Sequence, residues 1–266
     1  MMQRLLPKRT LLGGLARDVY RSLTPPGTRG RMHLELVLEA LAYSRGTIFF
    51  IQVGSNDADY NDPLRPFILS HDWRGIMIEP VPYVFDRLQR KYADRDGLIL
   101  ENLAIAARNG FAEFYAVAQS DDPLPPWYDQ LGSFKLDNIL KHSGEIPGLK
   151  DRIVELVVPC LDFDSLCRKH QVRAVDVIHI DAEGYDFEIV KLIDFDAHRP
   201  TILLYEHGHL SSSDRAACNA LVSRQGYECL EIEGDTLCLR REASAPWTRL
   251  GRAWRFARAA GCPAPS

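Results

Sequence analysis

Polar groups follow four apolar runs of the sequence at the points where those runs end. Residues 54–57 (Gly-Ser-Asn-Asp) follow the run IFFIQV, and Glu79, Asp181 and Glu206 each end a later run. Short apolar runs without alternation are typical of strands covered on both faces, as in a parallel sheet. In such sheets ligands bind beyond the carboxyl ends of the strands. We therefore expect these groups to meet in one crevice.

Glu79 indicates what the crevice binds. It stands 25 positions after Gly54, close to the spacing at which an acid meets ribose hydroxyls in dinucleotide-binding units. An ordinary loop carboxylate is the alternative. The segment lacks the GxGxxG pattern of a nicotinamide site, and its acids would repel a pyrophosphate but tolerate a cationic sulfonium group. The pattern therefore favours S-adenosylmethionine over a dinucleotide.

A second cluster of candidate groups comprises Asp181, Glu206 and His207 on what should be adjacent strands. Two carboxylates and an imidazole could hold a divalent cation such as Mg²⁺. Alternatively, one of them could take a proton from a substrate hydroxyl, whose pKa a metal would lower. The structural alternative is that Asp181 and Asp186 cap the following helix. His179, inside an apolar run, is expected to be a core residue.

Residues 119–150 contain prolines and aromatic residues but little periodicity. A long irregular segment in a compact domain is often a binding loop or lid. Trp127, Tyr128 and Phe134 could stack on a ring of a ligand, or they could simply pack the loop onto the core. His142 in this segment, and His209 beyond it, are weaker candidates for a functional role.

The remaining pattern alternates short apolar runs with helical segments. It predicts an α/β fold with a doubly wound, mostly parallel sheet, closed by an antiparallel hairpin of residues 227–232 and 236–240. Residues 98–105 and 111–117 are expected to form another hairpin, and residues 32–43 and 63–70 to be helical.

The charge is unevenly distributed along the chain, whose formal net charge is −4. Residues 1–31 carry seven Arg or Lys against one acid, and residues 240–266 carry six Arg against one acid, so the middle is strongly acidic. An acidic core argues against a nucleic-acid partner. The basic N-terminal arm either packs on its own domain or makes a weak contact with a membrane surface.

The six cysteines form no CxxC pair, which predicts free thiols and a reducing, cytoplasmic location. We find no apolar run long enough for a signal peptide or a membrane span.

Seven segments together are similar to those of the FkbM-type methyltransferases. They are QVGSNDAD, IEPVPYVFDRL, ENLAI, LGSF, VPCLDFDSL, VIHIDAEGYDFEIV and LYEH, in the family's order and spacing. The resemblance runs from about residue 46 to 240. It implies a Rossmann-like fold with a seven-stranded sheet and a domain flanked by an N-terminal arm and helix (1–45) and a basic C-terminal tail (241–266).

The resemblance also implies an activity: S-adenosylmethionine-dependent O-methylation of a hydroxyl on a saccharide, a glycoconjugate or a related natural product. The residues it places at the methyl group are Asp181 and Glu183, with His207 as a further candidate base. The residues expected at the cofactor are Gln52, Gly54, Ser55, Asn56, Asp57, Glu79, Pro80, Asn102, Leu103, Ala104 and Asp181. Those expected at the substrate are Trp127, Tyr128, Ser133 and Phe134.

The chain departs from the family's pattern at two positions, and two other functions are alternatives to methyl transfer. The family has glycine where this chain has Ala58, and many members have lysine where it has His179. The competing functions are a dinucleotide-dependent oxidoreductase and a non-catalytic docking module with a methyltransferase fold. Assembly into a homo-oligomer is left open.

Overall fold

The computed structural model describes residues 26–58, 62–71 and 73–260. The strands, in chain order, are β1 (Ile48–Val53), β2 (Trp73–Ile78), β3 (Leu98–Glu101), β4 (Ala104–Ile105), β5 (Gly110–Val117), β6 (Gly132–Ser133), β7 (Ile153–Leu161), β8 (Val177–Ile180), β9 (Ile202–Glu206), β10 (Tyr227–Ile232) and β11 (Asp235–Arg240). The helices are α1 (Pro26–Arg45), α2 (Arg65–Ser70), α3 (Pro82–Lys91), α4 (Leu136–Leu140), α5 (Phe163–Lys169), α6 (Asp186–Leu192), α7 (Ser212–Arg224) and α8 (Arg249–Ala259).

A seven-stranded sheet in the order β10-β11-β9-β8-β1-β2-β3 forms the centre of the fold. Strands β3, β2, β1, β8 and β9 are parallel, whereas β11 runs antiparallel to both of its neighbours. Strand β1 is buried on both faces: Ile48 and Phe50 pack on the side of α1 and α8, and Ile51 and Val53 on the side of α5 to α7. The predicted Rossmann-like, doubly wound sheet with a C-terminal hairpin is confirmed.

A second sheet, in the order β4-β7-β5-β6, was not predicted. The expected strand 98–105 is interrupted because the Asn102 side-chain amide donates to the carbonyls of Glu79 and Pro80. The chain then leaves the central sheet, and Ala104 pairs with Cys160 instead. The predicted hairpin of 98–105 with 111–117 is therefore wrong, since β5 pairs antiparallel with β7 and β6.

The irregular segment 119–150 is packed against the domain. It contains α4 and short 3₁₀ turns at Tyr128–Gln130, Lys141–Gly144 and Leu149–Arg152. Its apolar side chains have their own small core, comprising Val117, Leu131, Ile139, Ile146 and Leu149. The segment is therefore an ordered element that can position side chains.

The C-terminal segment, expected to be a basic tail, carries a helix that belongs to the main core. Helix α8 packs against α1, and the fully buried Trp254 donates its indole N–H to Glu228 at 2.8 Å. Its arginines Arg252, Arg255 and Arg258 face outward. Most of the expected N-terminal basic arm (1–25) and the end of the tail (261–266) lie outside the described residues. No helix within the described part combines the length and apolarity needed to cross a bilayer.

Replacing Trp254 should show that α8 is part of the domain. Trp254→Ala removes a fully buried indole and should lower the free energy of unfolding by about 3–5 kcal/mol in urea titrations. Trp247→Ala is the matched control, because Trp247 is 78% exposed, and should change stability by less than about 0.5 kcal/mol. Equal effects of the two changes would contradict the packing of α8.

Candidate functional site

The turn after β1 lies against the end of β8. Gly54 has a φ of +75°, and a Cβ at this position would lie 1.7 Å from the carbonyl oxygen of Asp181. The Asp181 amide donates to the Val53 carbonyl at 2.9 Å. The Ser55 hydroxyl accepts from the Ile78 amide at 3.1 Å, which joins this turn to β2. Glycine is required here because two strand ends approach closely.

The same turn adopts left-handed backbone without further glycine. Asn56 has a φ of +49° and the buried Ala58 a φ of +53°. A non-glycine residue in this region costs of the order of 1 kcal/mol. The departure from the family's glycine at Ala58 therefore leaves the turn formed, at a cost in conformational energy.

Glu79 points from the end of β2 into the crevice. One carboxylate oxygen accepts from the Asn56 amide at 3.0 Å and the other from the Val81 amide at 2.8 Å. Burial raises the pKa of this carboxyl to about 8, against the lowering effect of the two amides. Each oxygen keeps a lone pair that can accept a further hydrogen bond.

A pocket opens between these strand ends. Its described lining includes the acids Glu79, Asp181 and Glu183 and no basic side chain. The apolar and neutral lining residues include Ile78, Leu103, Ala104, Ile105, Phe114, Phe134, Tyr185 and Ile189. The pocket is thus a largely apolar cavity whose floor carries three carboxyl groups.

Asp181 follows β8 and lines this pocket. None of the described residues donates a hydrogen bond to its carboxylate, although it is half-buried. Burial and the nearby charge of Asp62 raise the pKa of the Asp181 carboxyl to about 6. The alternative helix-capping role is not observed for Asp186 either: Asp186 is the first residue of α6, which has no side-chain cap, and its carboxylate accepts from the amides of Ala182 and Gly184 in the preceding turn.

Segment 119–150 fixes the neighbouring Glu183. This residue has a φ of +47°, and its carbonyl accepts from the Ser133 hydroxyl at 3.1 Å and the Asn138 amide at 2.8 Å. Phe134 packs between Phe114 and Tyr185, with ring centroids 5.1 and 4.7 Å away. The segment therefore closes one side of the pocket and holds a strained backbone in place.

More carboxylates lie behind the pocket. Burial and the charge of Asp181 together raise the pKa of Glu206 to about 11 and that of Asp235 to about 7. The pKa of Glu183 is raised well above its usual value by burial and by the charges of Asp181 and Asp186, although the charge of Lys141 lowers it. This end of the sheet thus concentrates buried carboxyl groups that favour the protonated form unless a positive charge lies nearby.

The position of the His207 side chain differs from the one predicted, in which it lies beside Asp181 and Glu206. Its ring is buried, and Nδ1 lies 2.9 Å from the Thr236 hydroxyl on β11. His209 contacts the acids instead, with Nε2 3.3 Å from Glu183 and 3.4 Å from Glu206. In the described part of the chain, the donor atoms of His142, Glu183 and His209 lie within 4.8 Å of one another, whereas Asp181, Glu206 and His207 do not form such a group. The sequence alone did not indicate that His209, and not His207, faces these acids.

Of the remaining expected cofactor residues, Asn56, Pro80, Leu103 and Ala104 line the pocket. Ser55 supports the turn, and Asn102 ties β3 to β2. Gln52 donates to Asp62 from inside β1, and Asp57 accepts from Gln130. His179 is a core residue, and burial lowers the pKa of its imidazole to about 4.

The expected substrate residues separate into two groups. Phe134 lines the pocket and Ser133 supports Glu183, whereas the Tyr128 hydroxyl bonds to the backbone of Ser120. Trp127 packs against His142, with ring centroids 5.5 Å apart. The pocket residues that the sequence reasoning missed include Phe114, Gln130, Gly132 and Tyr185; the LGSF motif could have indicated Gly132.

Comparison with known proteins agrees with this geometry. The family model of the methyltransferase FkbM domain matches residues 52–229, more than half of the chain. The chain therefore belongs to the FkbM methyltransferase family. No curated protein matches its sequence.

Several solved structures are similar. An FkbM methyltransferase from Methylobacillus flagellatus KT has a TM-score of 0.49 and 16% identity over 89% of this chain and 56% of that one, so this chain spans little more than half of that protein. A Geobacter sulfurreducens methyltransferase has a TM-score of 0.41 and 13% identity, over 89% and 91%. A Bacillus cereus O-methyltransferase in complex with SAH has a TM-score of 0.40 and 13% identity, over 89% of this chain and 93% of that one. Similarity at this level says nothing about substrate.

The raised pKa of Asp235 predicts how stability depends on pH. A carboxyl whose folded-state pKa is about 7 rather than 3.8 loses its favourable contribution as pH rises through 7. Asp235→Asn should therefore stabilise the protein relative to the parent, by roughly 2 kcal/mol more at pH 8 than at pH 5. Urea titrations at both pH values measure this, and the exposed Asp94→Asn is the control. An equal gain at both pH values would contradict the assignment.

Proposed function

We propose that this chain is an S-adenosylmethionine-dependent O-methyltransferase whose acceptor is a hydroxyl of a saccharide, a glycoconjugate or a related natural product. Membership of the FkbM methyltransferase family supports methyl transfer. The observation that carries the choice of cofactor is the pocket lined by Glu79, Asp181 and Glu183, without a basic side chain among its described residues. Such a pocket favours a cationic ligand and disfavours a pyrophosphate.

The residues present fit this cofactor. The two Glu79 oxygens each accept one backbone amide and retain acceptor capacity for the two ribose hydroxyls. Leu103, Ala104 and Ile105 supply an apolar wall suited to an adenine ring. The missing Cβ of Gly54 leaves the β1 turn close against Asp181. We infer that the amino-acid end lies along this turn.

The bound cofactor would supply an electrophilic methyl group on a sulfonium sulfur. The chain orients the acceptor hydroxyl in line with it and takes up the hydroxyl proton. Asp181 suits this role because no described residue donates a hydrogen bond to its carboxylate. Its pKa of about 6 also leaves it ionised at neutral pH. Glu183, next to it in the pocket, is the second candidate base.

The acceptor is proposed to reach the pocket beside segment 119–150. Phe134 is the aromatic side chain proposed to contact the acceptor, because Trp127 packs against His142 and the Tyr128 hydroxyl is bonded to Ser120. The Phe134 ring lines the pocket. The acidic middle of the chain supports a neutral or cationic acceptor over a nucleic acid.

Removing the proposed base should stop turnover. Asp181→Asn preserves the shape of the side chain but not its charge, and should reduce methyl transfer at least about 100-fold. A labelled-methyl assay against a panel of nucleotide sugars and oligosaccharides, with and without chelator, measures this. Asp94→Asn, an exposed residue, should keep parental activity. Substantial turnover by a folded Asp181→Asn protein would place the chemistry elsewhere.

Glu79→Ala should weaken cofactor binding instead. Losing charged hydrogen bonds of about 1.5–3 kcal/mol lowers affinity roughly 10- to 150-fold. Calorimetric titration with S-adenosylmethionine measures the change, and Glu101→Ala is the control because Glu101 ends the adjacent strand outside the pocket lining. Unchanged affinity would remove the ribose assignment, and binding of NAD but not S-adenosylmethionine would favour the oxidoreductase.

A further inference from the structure

Two histidines and two carboxylates converge beside the proposed cofactor pocket. The Nε2 atom of His209 lies 3.3 Å from Glu183 Oε2 and 3.4 Å from Glu206 Oε1. The Nε2 atom of His142 lies 3.9 Å from the same Glu183 oxygen. Donor atoms of His142, Glu183 and His209 all lie within 4.8 Å of one another. One ion placed among them could contact all three side chains.

Separate elements hold this group together. His142 lies in the 3₁₀ turn that follows α4, and Glu206 ends β9. Lys141 joins the two regions, because its ammonium donates to the Asn138 side chain at 2.9 Å and to the His209 carbonyl at 3.1 Å. Asn138 in turn donates to the Glu183 carbonyl. The backbone at Glu183 and at His209 is therefore held by contacts that do not use the donor atoms of those side chains.

Two atoms of the group have no partner. His142 Nε2 and Glu206 Oε2 are buried and accept or donate no hydrogen bond within the described part of the chain. Buried polar atoms are nearly always paired, and each unpaired one costs about 1–3 kcal/mol. These two atoms point to a partner that the protein itself does not provide.

The other ring nitrogen of His142 has the contact expected of a metal-bound imidazole. Its Nδ1 atom lies 3.4 Å from Glu145 Oε1. Metal-binding histidines commonly donate their second N–H to a carboxylate, which leaves the opposite nitrogen deprotonated and directed at the ion. With the proton on Nδ1, the Nε2 lone pair of His142 faces Glu183.

A hydrogen-bonded network without a metal ion explains the contacts of these four side chains less completely than a bound ion does. One N–H of His209 cannot fully serve both Glu183 and Glu206, and no arginine or lysine of the described chain forms an ion pair with either carboxylate. By contrast, Glu101, which also meets a histidine, has the Lys169 ammonium at 2.6 Å. Within the described chain, the group beside the pocket has no such direct ion pair to a lysine or arginine, although the Lys141 ammonium lies close by on Asn138 and the His209 carbonyl.

We propose that His142, Glu183 and His209, with Glu206 beside them, bind a divalent first-row transition metal ion. Two imidazoles with carboxylates match Zn²⁺, Mn²⁺ or Fe²⁺, whereas Mg²⁺ prefers a shell of oxygen ligands. The site differs from the set Asp181, Glu206 and His207 expected from the sequence.

The position of this ion gives it a role in the proposed reaction. Glu183 lines the pocket as well as the metal group, so the ion would lie where an acceptor hydroxyl must approach. A bound divalent ion lowers the pKa of a hydroxyl that it coordinates. This role rests on the proposed function, but the binding of the ion does not.

Metal titration of the untagged full chain tests the proposal. After removal of metal with a chelator, Co²⁺ added without any methyl donor should bind one ion per chain and give the visible absorption of a protein-bound site. Zn²⁺ should displace it, whereas Mg²⁺ at the same concentration should not. His142→Gln and His209→Gln should each weaken Co²⁺ binding at least about 10-fold.

Two controls separate the explanations. His170→Gln removes a histidine that pairs with a carboxylate elsewhere and should bind Co²⁺ as the parent does. His207→Gln should also leave Co²⁺ binding unchanged. Loss of Co²⁺ binding in this variant would favour the group Asp181, Glu206 and His207 and overturn the proposed site. No stoichiometric binding by the parent chain, or binding unaffected by either His142→Gln or His209→Gln with folding verified by circular dichroism, would overturn the proposal.

Because the titration contains no methyl donor, its failure is distinct from a failure of the proposed function. Methyl transfer that continues in the absence of metal binding would reject only the metal site. Metal binding by a chain that does not bind S-adenosylmethionine would reject only the proposed reaction.

Discussion

Taking carboxylates out of water without a cation beside them is costly, and this fold does so repeatedly at one edge of its central sheet. Glu79, Asp181 and Glu206 all stand where strands end, and burial raises the pKa of each of them. The parallel order of the strands brings these ends together, while the helices on both faces exclude water. A positively charged group that enters this edge would favour the ionised form of these carboxyls, which is the basis of the proposed choice of cofactor.

The rest of the structure maintains that edge. The turn at Gly54 allows β1 and β8 to end in contact, and the amides of Asn56 and Val81 orient Glu79. Segment 119–150 covers the pocket and holds the strained backbone of Glu183. Binding groups at the strand ends and a packed cover over them together form a site that is largely organised before a ligand arrives.

The central sheet could be predicted because its strands are short, wholly apolar runs, each followed by polar residues. The pocket acids could be predicted for the same reason, since parallel strands place their ends at one edge. The second sheet could not, because β5 and β7 are separated in the sequence by segment 119–150. The chain also leaves the central sheet at Asn102, whose side chain bonds to the carbonyls of Glu79 and Pro80. Local sequence does not contain that contact.

The histidines show a similar limit. His207 and His209 are two residues apart after β9, and the sequence analysis favoured His207 as the functional one. The structure separates them because the amides of His207 and Gly208 both donate to the Gly234 carbonyl, and the His207 ring then lies against Thr236. His209 follows this turn, and its ring reaches Glu183. The direction of a side chain at a strand end thus depends on the neighbouring strand, which is distant in the sequence.

The most direct test of the central claim is a crystal structure of the chain grown with S-adenosylmethionine or its demethylated product. The account predicts an adenosine group in the pocket, with its ribose hydroxyls on Glu79 and its sulfur beside Asp181. A pocket filled by packed side chains, or a ligand bound elsewhere with the carboxylates left in contact with one another, would contradict it.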